Sequence, residues 1–216
     1  MAALGCGPTY VIQQPAPPPP PLYGRVSIEV SDRREPKKGG ADPAMIGNER
    51  SGWGIPYPLR LNGPAELSYE MHELFGQQAI AAQIGVLPIG QTAGATSRLI
   101  VEIQTYWCDG YPPLFKADAV ASAVVVDGLT GQVRVPAQPL MGHGEAGTCR
   151  HAIHRMREAL AASARAMFAT PQVHDALIAE PAAAPPPPPP PPPSAPPPPP
   201  SAPPPSSGAP LQPYSQ

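Results

Sequence analysis

The distribution of proline constrains this chain more than any other feature. Of its 38 prolines, 20 lie from Pro181 to the C-terminus, with the longest run at Pro185 to Pro193. Proline supplies no backbone donor, and the intervening Ser, Ala and Gly offer little to bury, so this stretch reads as a disordered tail. A second proline-rich stretch precedes Tyr23. The expected organisation is therefore an N-terminal tether over residues 1–22, one folded domain over 23–173, and a proline-rich tail over 174–216. About 150 residues suffice for a single core.

Charge narrows the function classes. The formal net charge is -2, and the tail beyond Glu180 carries no charged side chain. The one dense basic cluster, Arg33, Arg34, Lys37 and Lys38, is interrupted by Glu35 and reads as a solvated loop. A nucleic-acid partner, which would need clustered cations to neutralise phosphates, is not expected. No apolar run approaches the 18 or more residues of a membrane-crossing helix.

The opening residues Ala2-Ala3-Leu4-Gly5-Cys6-Gly7 resemble the cleavage end of a bacterial lipoprotein signal, in which a cysteine receives the lipid. Five residues before Cys6 supply neither the basic nor the apolar region such a signal needs, so the expected start lies further upstream. On this reading Cys6 is the lipidation site and the membrane is reached through it. The alternative is a cytoplasmic protein with a reactive N-terminal thiol. Cys108 and Cys149 then remain as a candidate disulfide in an oxidising compartment, two free thiols being the alternative.

Periodicity sets out the domain. Val26, Ile28 and Val30 alternate with Ser27, Glu29 and Ser31, a half-buried strand. Residues 35–62 form a long Pro/Gly-rich excursion with room for one short edge strand between Trp53 and Leu61. Loops of that length tend to carry a role, and Trp53, Tyr57 and Arg60 form a candidate partner surface; aromatics pinning the loop to the core are the plainer reading. After a start at Asn62-Gly63-Pro64, the spacing of Leu67, Met71, Leu74, Phe75, Ala79 and Ala82 predicts a helix stopped by Gly85. In the strand Arg98 to Cys108, Leu99, Val101, Ile103 and Thr105 face one way and Ile100, Glu102, Gln104 and Tyr106 the other. Ala117 to Val126 is a third strand, the turn Asp127 to Gly131 leads to a fourth at Val133 and Val135, and residues 136–147 read as a flexible link. A last helix buries Ile153, Met156, Leu160, Ala164 and Met167, capped by Thr148. The expected fold is α+β, a two-layer sandwich with a mixed or antiparallel sheet of about four strands and two helices on one face.

The pattern Val26-x-Ile28-x-Val30-x-Asp32-x-Arg34, the order of elements and Gly85 before a long alternating strand together resemble the YajG-like group of small bacterial envelope lipoproteins. That resemblance implies an exported, lipid-anchored α+β domain and brings no catalytic set.

Chemistry-bearing clusters are few. Cys149, His151 and His154, with His143 nearby, are candidate thiol or zinc ligands, but His154 and Glu158 also read as a solvated ion pair, and a Cys149 disulfide would remove the thiolate. No cofactor is expected, and no catalytic set can be named. The leading expectation is a non-enzymatic, lipid-anchored, periplasm-facing protein that binds an envelope protein or cell-wall partner. The alternatives are a soluble adaptor whose proline tail binds a polyproline-recognising domain, and a thiol- or metal-dependent protein centred on Cys149, His151 and His154.

Overall fold

The computed structural model describes residues 22–61 and 66–180. Cys6 and its tether, the expected helix start at Asn62-Gly63-Pro64, and the proline tail from Pro181 onward lie outside the described residues.

The organising element is β5 (Ser97–Tyr111), which pairs antiparallel with β6 (Leu114–Asp127) along its whole length, from Ser97↔Asp127 to Tyr111↔Leu114. Its other edge is shared. β1 (Tyr23–Asp32) runs parallel to it from Val26↔Ser97 to Asp32↔Ile103, and β2 (Met45–Arg50) takes over further along, at Gly47↔Cys108. Outside these lie β4 (Ile84–Val86) on β1, β3 (Pro56–Arg60) on β2, and β7 (Val133–Ala146) on β6. The result is a mixed seven-stranded sheet curled into a half-barrel, with three helices, α1 (Leu67–Ala81), α2 (Cys149–Ala169) and α3 (Pro171–Ile178). This corrects the expected four-stranded, two-helix sandwich.

The long strands persist because their apolar alternation does. β6 buries Phe115, Ala117, Ala119, Ala121 and Ala123 on one face, and the four alanines leave room for helices close above them. Residues 136–147, expected as a flexible link, belong to β7. There Gly142 and Gly144 bring the strand against the α2 backbone: a Cβ on Gly144 would lie 2.1 Å from the Ala152 carbonyl oxygen, and one on Gly142 2.3 Å from that of Met156. Pro136 and Pro139 are tolerated because, among the described residues, β7 pairs with β6 alone.

The helix stripes lie where periodicity places them. Leu67, Met71, Leu74, Phe75 and Ala79 of α1 are buried, as are Ile153, Met156, Leu160, Ala164 and Met167 of α2; Ala82, expected in the first stripe, is instead the residue that caps the end of α1 and is only partly buried. Thr148 caps α2, its side chain accepting from the His151 N–H. Helix α1 stops before Gly85, which belongs to β4; the left-handed residue after it is Gln83, at φ 64°. Beyond the expected domain end at Val173, α3 buries Val173 and Leu177. The Arg134 guanidinium donates to the carbonyls of Ala176, Ala179 and Glu180 at the end of α3, and pairs with the buried Asp127 carboxylate.

The basic cluster divides. Arg33, Lys37 and Lys38 are exposed, but the side chain of Arg34 is fully buried. Its guanidinium chelates Asp32 and donates to the carbonyls of Gly39, Pro43, Met45 and Tyr106. It thereby clasps the start of the excursion to both β1 and β5.

Candidate functional site

Tyr106 defines the site, and a β-bulge puts it there. The β5–β6 register shifts between Ile103 and Thr105, so an extra residue on β5 reverses the facing of everything beyond it. Leu99, Val101 and Ile103 point into the core; past the bulge Tyr106 and Cys108 do so instead of Thr105. Strict alternation places Tyr106 outside, and the bulge overturns that expectation.

Tyr106 forms the floor of a cleft of about 620 Å³ between α1, α2 and the β2–β3 hairpin. Ile46, Leu59 and Leu61 supply the apolar wall on the hairpin side, Leu74 that of α1, and Ile153 and Ala161 that of α2. Around the mouth stand Arg60, Arg150 and Arg157 with Glu70, Glu73 and Glu158, so the rim carries both signs in balance. Arg157 bridges to Glu70 at 2.9 Å, tying α2 to α1 across one end. The Tyr106 residue is 1% exposed, and its hydroxyl has no hydrogen-bond partner among the described residues. Burial pushes its phenol far above the ordinary range, so it stays protonated and able to donate. An unpaired buried hydroxyl costs about 1–3 kcal/mol.

The expected site residues are partly gathered here. Arg60 lies on the cleft rim and pairs with Asp42 at 2.7 Å. Trp53 sits in the turn between β2 and β3 and is 93% exposed, with Tyr57 on β3 at 55%. The two aromatics therefore do not pin the excursion to the core, and neither lines the cleft.

His154, from a different expected cluster, lines the same rim and pairs with Glu158 at 3.5 Å. Cys149 is bonded to Cys108, with their Cα atoms 6.0 Å apart, so it offers no thiolate beside His151 and His154. His151 instead shares a 3.1 Å contact with the Thr148 hydroxyl. Among the described residues, no three His, Cys, Asp or Glu side chains stand together as a metal-ligand group.

His143 belongs to the opposite face of the sheet. Its Nδ1 lies 2.7 Å from Asp118, its cross-strand neighbour, and its Nε2 3.4 Å from Glu145. The hydrogen bond to Asp118 raises its pKa above the ordinary 6.5, and Glu145 adds to the effect. A raised folded value means that this pairing stabilises the fold below the unfolded value and ceases to do so as pH rises through the folded one. A proton NMR titration is expected to show His143 titrating above 6.5, with Asp118→Asn moving it down. An unchanged midpoint in that variant would count against the assignment.

No protein-family model and no curated protein matches the chain. Among solved structures it is similar to a Xanthomonas campestris protein of the DUF330 family, at 14% identity and a TM-score of 0.48, over 76% of this chain and 89% of that one. It is also similar to a lipoprotein from Neisseria meningitidis (10% identity, TM-score 0.37, 56% and 83% of the two chains). A third is a minor lipoprotein from Acinetobacter baumannii (7% identity, TM-score 0.37, 72% and 95%). These are likenesses of chain trace, and they assign neither a YajG-like membership nor an activity.

Proposed function

We propose that this chain is a non-enzymatic, lipid-anchored cell-envelope protein. Its Cys6 carries the anchor, and its cleft receives an extended segment of another envelope protein. The observation that carries the binding role is the Tyr106 hydroxyl, buried at the floor of an open cleft with no hydrogen-bond partner among the described residues. A bound main-chain carbonyl would satisfy it. The apolar walls suit alternate side chains of such a segment, and a rim of three arginines and three glutamates suits a polypeptide of mixed charge better than a polyanion. The Cys108–Cys149 bond supports export to an oxidising compartment, and the likeness of Val26 to Arg34 to envelope lipoproteins supports the anchor.

The test uses the full chain produced behind a lipoprotein export signal. Wild type is expected in the membrane fraction, labelled by palmitate, and Cys6→Ser in the soluble periplasmic fraction. A photo-crosslinking residue at Gln77, on the cleft wall, is expected to give one discrete protein adduct at the membrane. Tyr106→Phe should lower its yield roughly two- to ten-fold, the worth of one hydrogen bond. A soluble wild type would overturn the anchor; adducts insensitive to Tyr106→Phe would overturn the cleft.

A further inference from the structure

Helix α1 has a second exposed flank. Glu70, Glu73, Leu74 and Gln77 face the cleft; Ser68, Tyr69 and His72 lie on the other side, at the complementary helical positions. There they meet Ile28, Glu29 and Val30 of β1 and Ile89 and Gly90 of the loop after β4, around a separate cavity of about 680 Å³. None of the expected site residues lines this cavity.

His72 is its unusual member. The residue is only 9% exposed, and neither ring nitrogen has a hydrogen-bond partner among the described residues. Burial lowers its pKa, with Glu73 acting weakly in the other direction, so the ring is neutral near pH 7. A neutral imidazole carries one donor and one acceptor, and leaving both unmet is costly unless something else meets them.

The surroundings limit what that can be. Ile28 and Val30 make one wall apolar, and Tyr69 and Ile89, each about half exposed, leave an apolar mouth. The Glu29 carboxylate is neutralised by a two-point contact with Arg98, at 2.6 and 2.7 Å. Glu66 at the edge adds negative charge, which disfavours an anion. We infer that this cavity is a binding site for a small uncharged molecule with an aromatic or alicyclic body and one hydroxyl or N–H group. The body lies between Tyr69 and Ile89, and the polar group bonds to the His72 imidazole.

This inference is independent of the cleft and of the lipid anchor. A matched pair of fluorescent probes tests it on the purified full chain. N-Phenyl-1-naphthylamine is uncharged and has an N–H group; 8-anilino-1-naphthalenesulfonate has the same skeleton with a negative charge. The neutral probe is expected to bind saturably at one site per chain, and the sulfonate about ten-fold more weakly or not at all. His72→Leu keeps the volume and removes both unmet nitrogens, so it should fold at least as stably as wild type. It should weaken the neutral probe about five-fold or more, through the lost hydrogen bond. Ile89→Ser, at the exposed mouth, should weaken it as well, while Tyr106→Phe should leave it unchanged. Non-saturating uptake, equal affinity for the two probes, or full affinity in a folded His72→Leu protein would each overturn the site.

Discussion

Arg34→Ala is expected to destabilise the domain by about 3–5 kcal/mol, the usual cost of removing one partner from a buried ion pair, read as a lowered denaturant midpoint at unchanged slope. The side chain is inaccessible, and four main-chain carbonyls besides Asp32 accept from it. Alanine leaves those acceptors and a largely buried carboxylate in place of a filled shell. Arg34→Lys should recover only part of the loss, because an ammonium cannot chelate both oxygens of Asp32 and also reach carbonyls on opposite sides. The chain is built around the arginine. Gly39, at φ 98°, passes so close that a Cβ would lie 2.4 Å from a guanidinium nitrogen, and one on Gly40 would lie 2.0 Å from the Arg34 carbonyl oxygen. Because the clasp holds residues 39–45 against β5, amide exchange in β2 and β3 should accelerate more in Arg34→Ala than exchange in β6. Uniform acceleration would mean that Arg34 supports the whole fold equally and clasps nothing in particular.

The second large effect belongs to the Cys108–Cys149 bond, which ties β5 to the first turn of α2 across a sequence separation of 41. In the chain-entropy account, opening a loop of that length costs about 4 kcal/mol, equivalent to a melting temperature lower by roughly 10 °C for a domain of this size. Cys108→Ala with Cys149→Ala should show this loss, and reducing agent should produce it in wild type but not in the double variant. Both cysteines are fully buried, so alanine is the better replacement than serine, whose hydroxyl would need a partner. Without reduction, alkylation should find neither Cys108 nor Cys149. Melting temperatures equal with and without the bond would show that the α2–β7 packing, with Gly142 and Gly144 at its seam, carries the closure alone.

What the sequence made legible follows from periodicity that packing enforces. The burial stripes of α1 and α2 and the alternation in β1 and in the first half of β5 have one face in the core, where a wrong residue is costly, while the Asp127 turn is fixed by its own chemistry, the carboxylate accepting from the Leu129 and Thr130 N–H groups. The missed elements lack such a stripe. β2 buries only Ile46 and Gly47, and β4 has three residues; the edge strand expected between Trp53 and Leu61 is present as β3, at the rim of the sheet, in spite of Pro56 and Pro58. α3 is eight residues long, with only Val173 and Leu177 buried, and Arg134 donates to the carbonyls at its end. In β7 the contact is made by absent side chains, at two glycines, and glycine reads as a loop signal when taken alone. Arg34 reads as one member of a solvated run because burial of its charge depends on carbonyls distributed over residues 39 to 106. His72 was hidden in a helix whose other residues explain its amphipathicity.

The inward facing of Tyr106 escapes strict alternation for a different reason, which also governs Cys108 and bears on how such a domain could change. One additional residue in β5 turns both side chains inward, so the cleft floor and the disulfide share a common cause. Loss of a single codon there would exchange their facing with that of their neighbours and remove both features together, while the pairing of Leu99, Val101 and Ile103 with β6 could continue as before. The cleft floor and the Cys108–Cys149 clamp thus stand or fall together, separated from a plainer sheet by one insertion or deletion rather than by a series of substitutions.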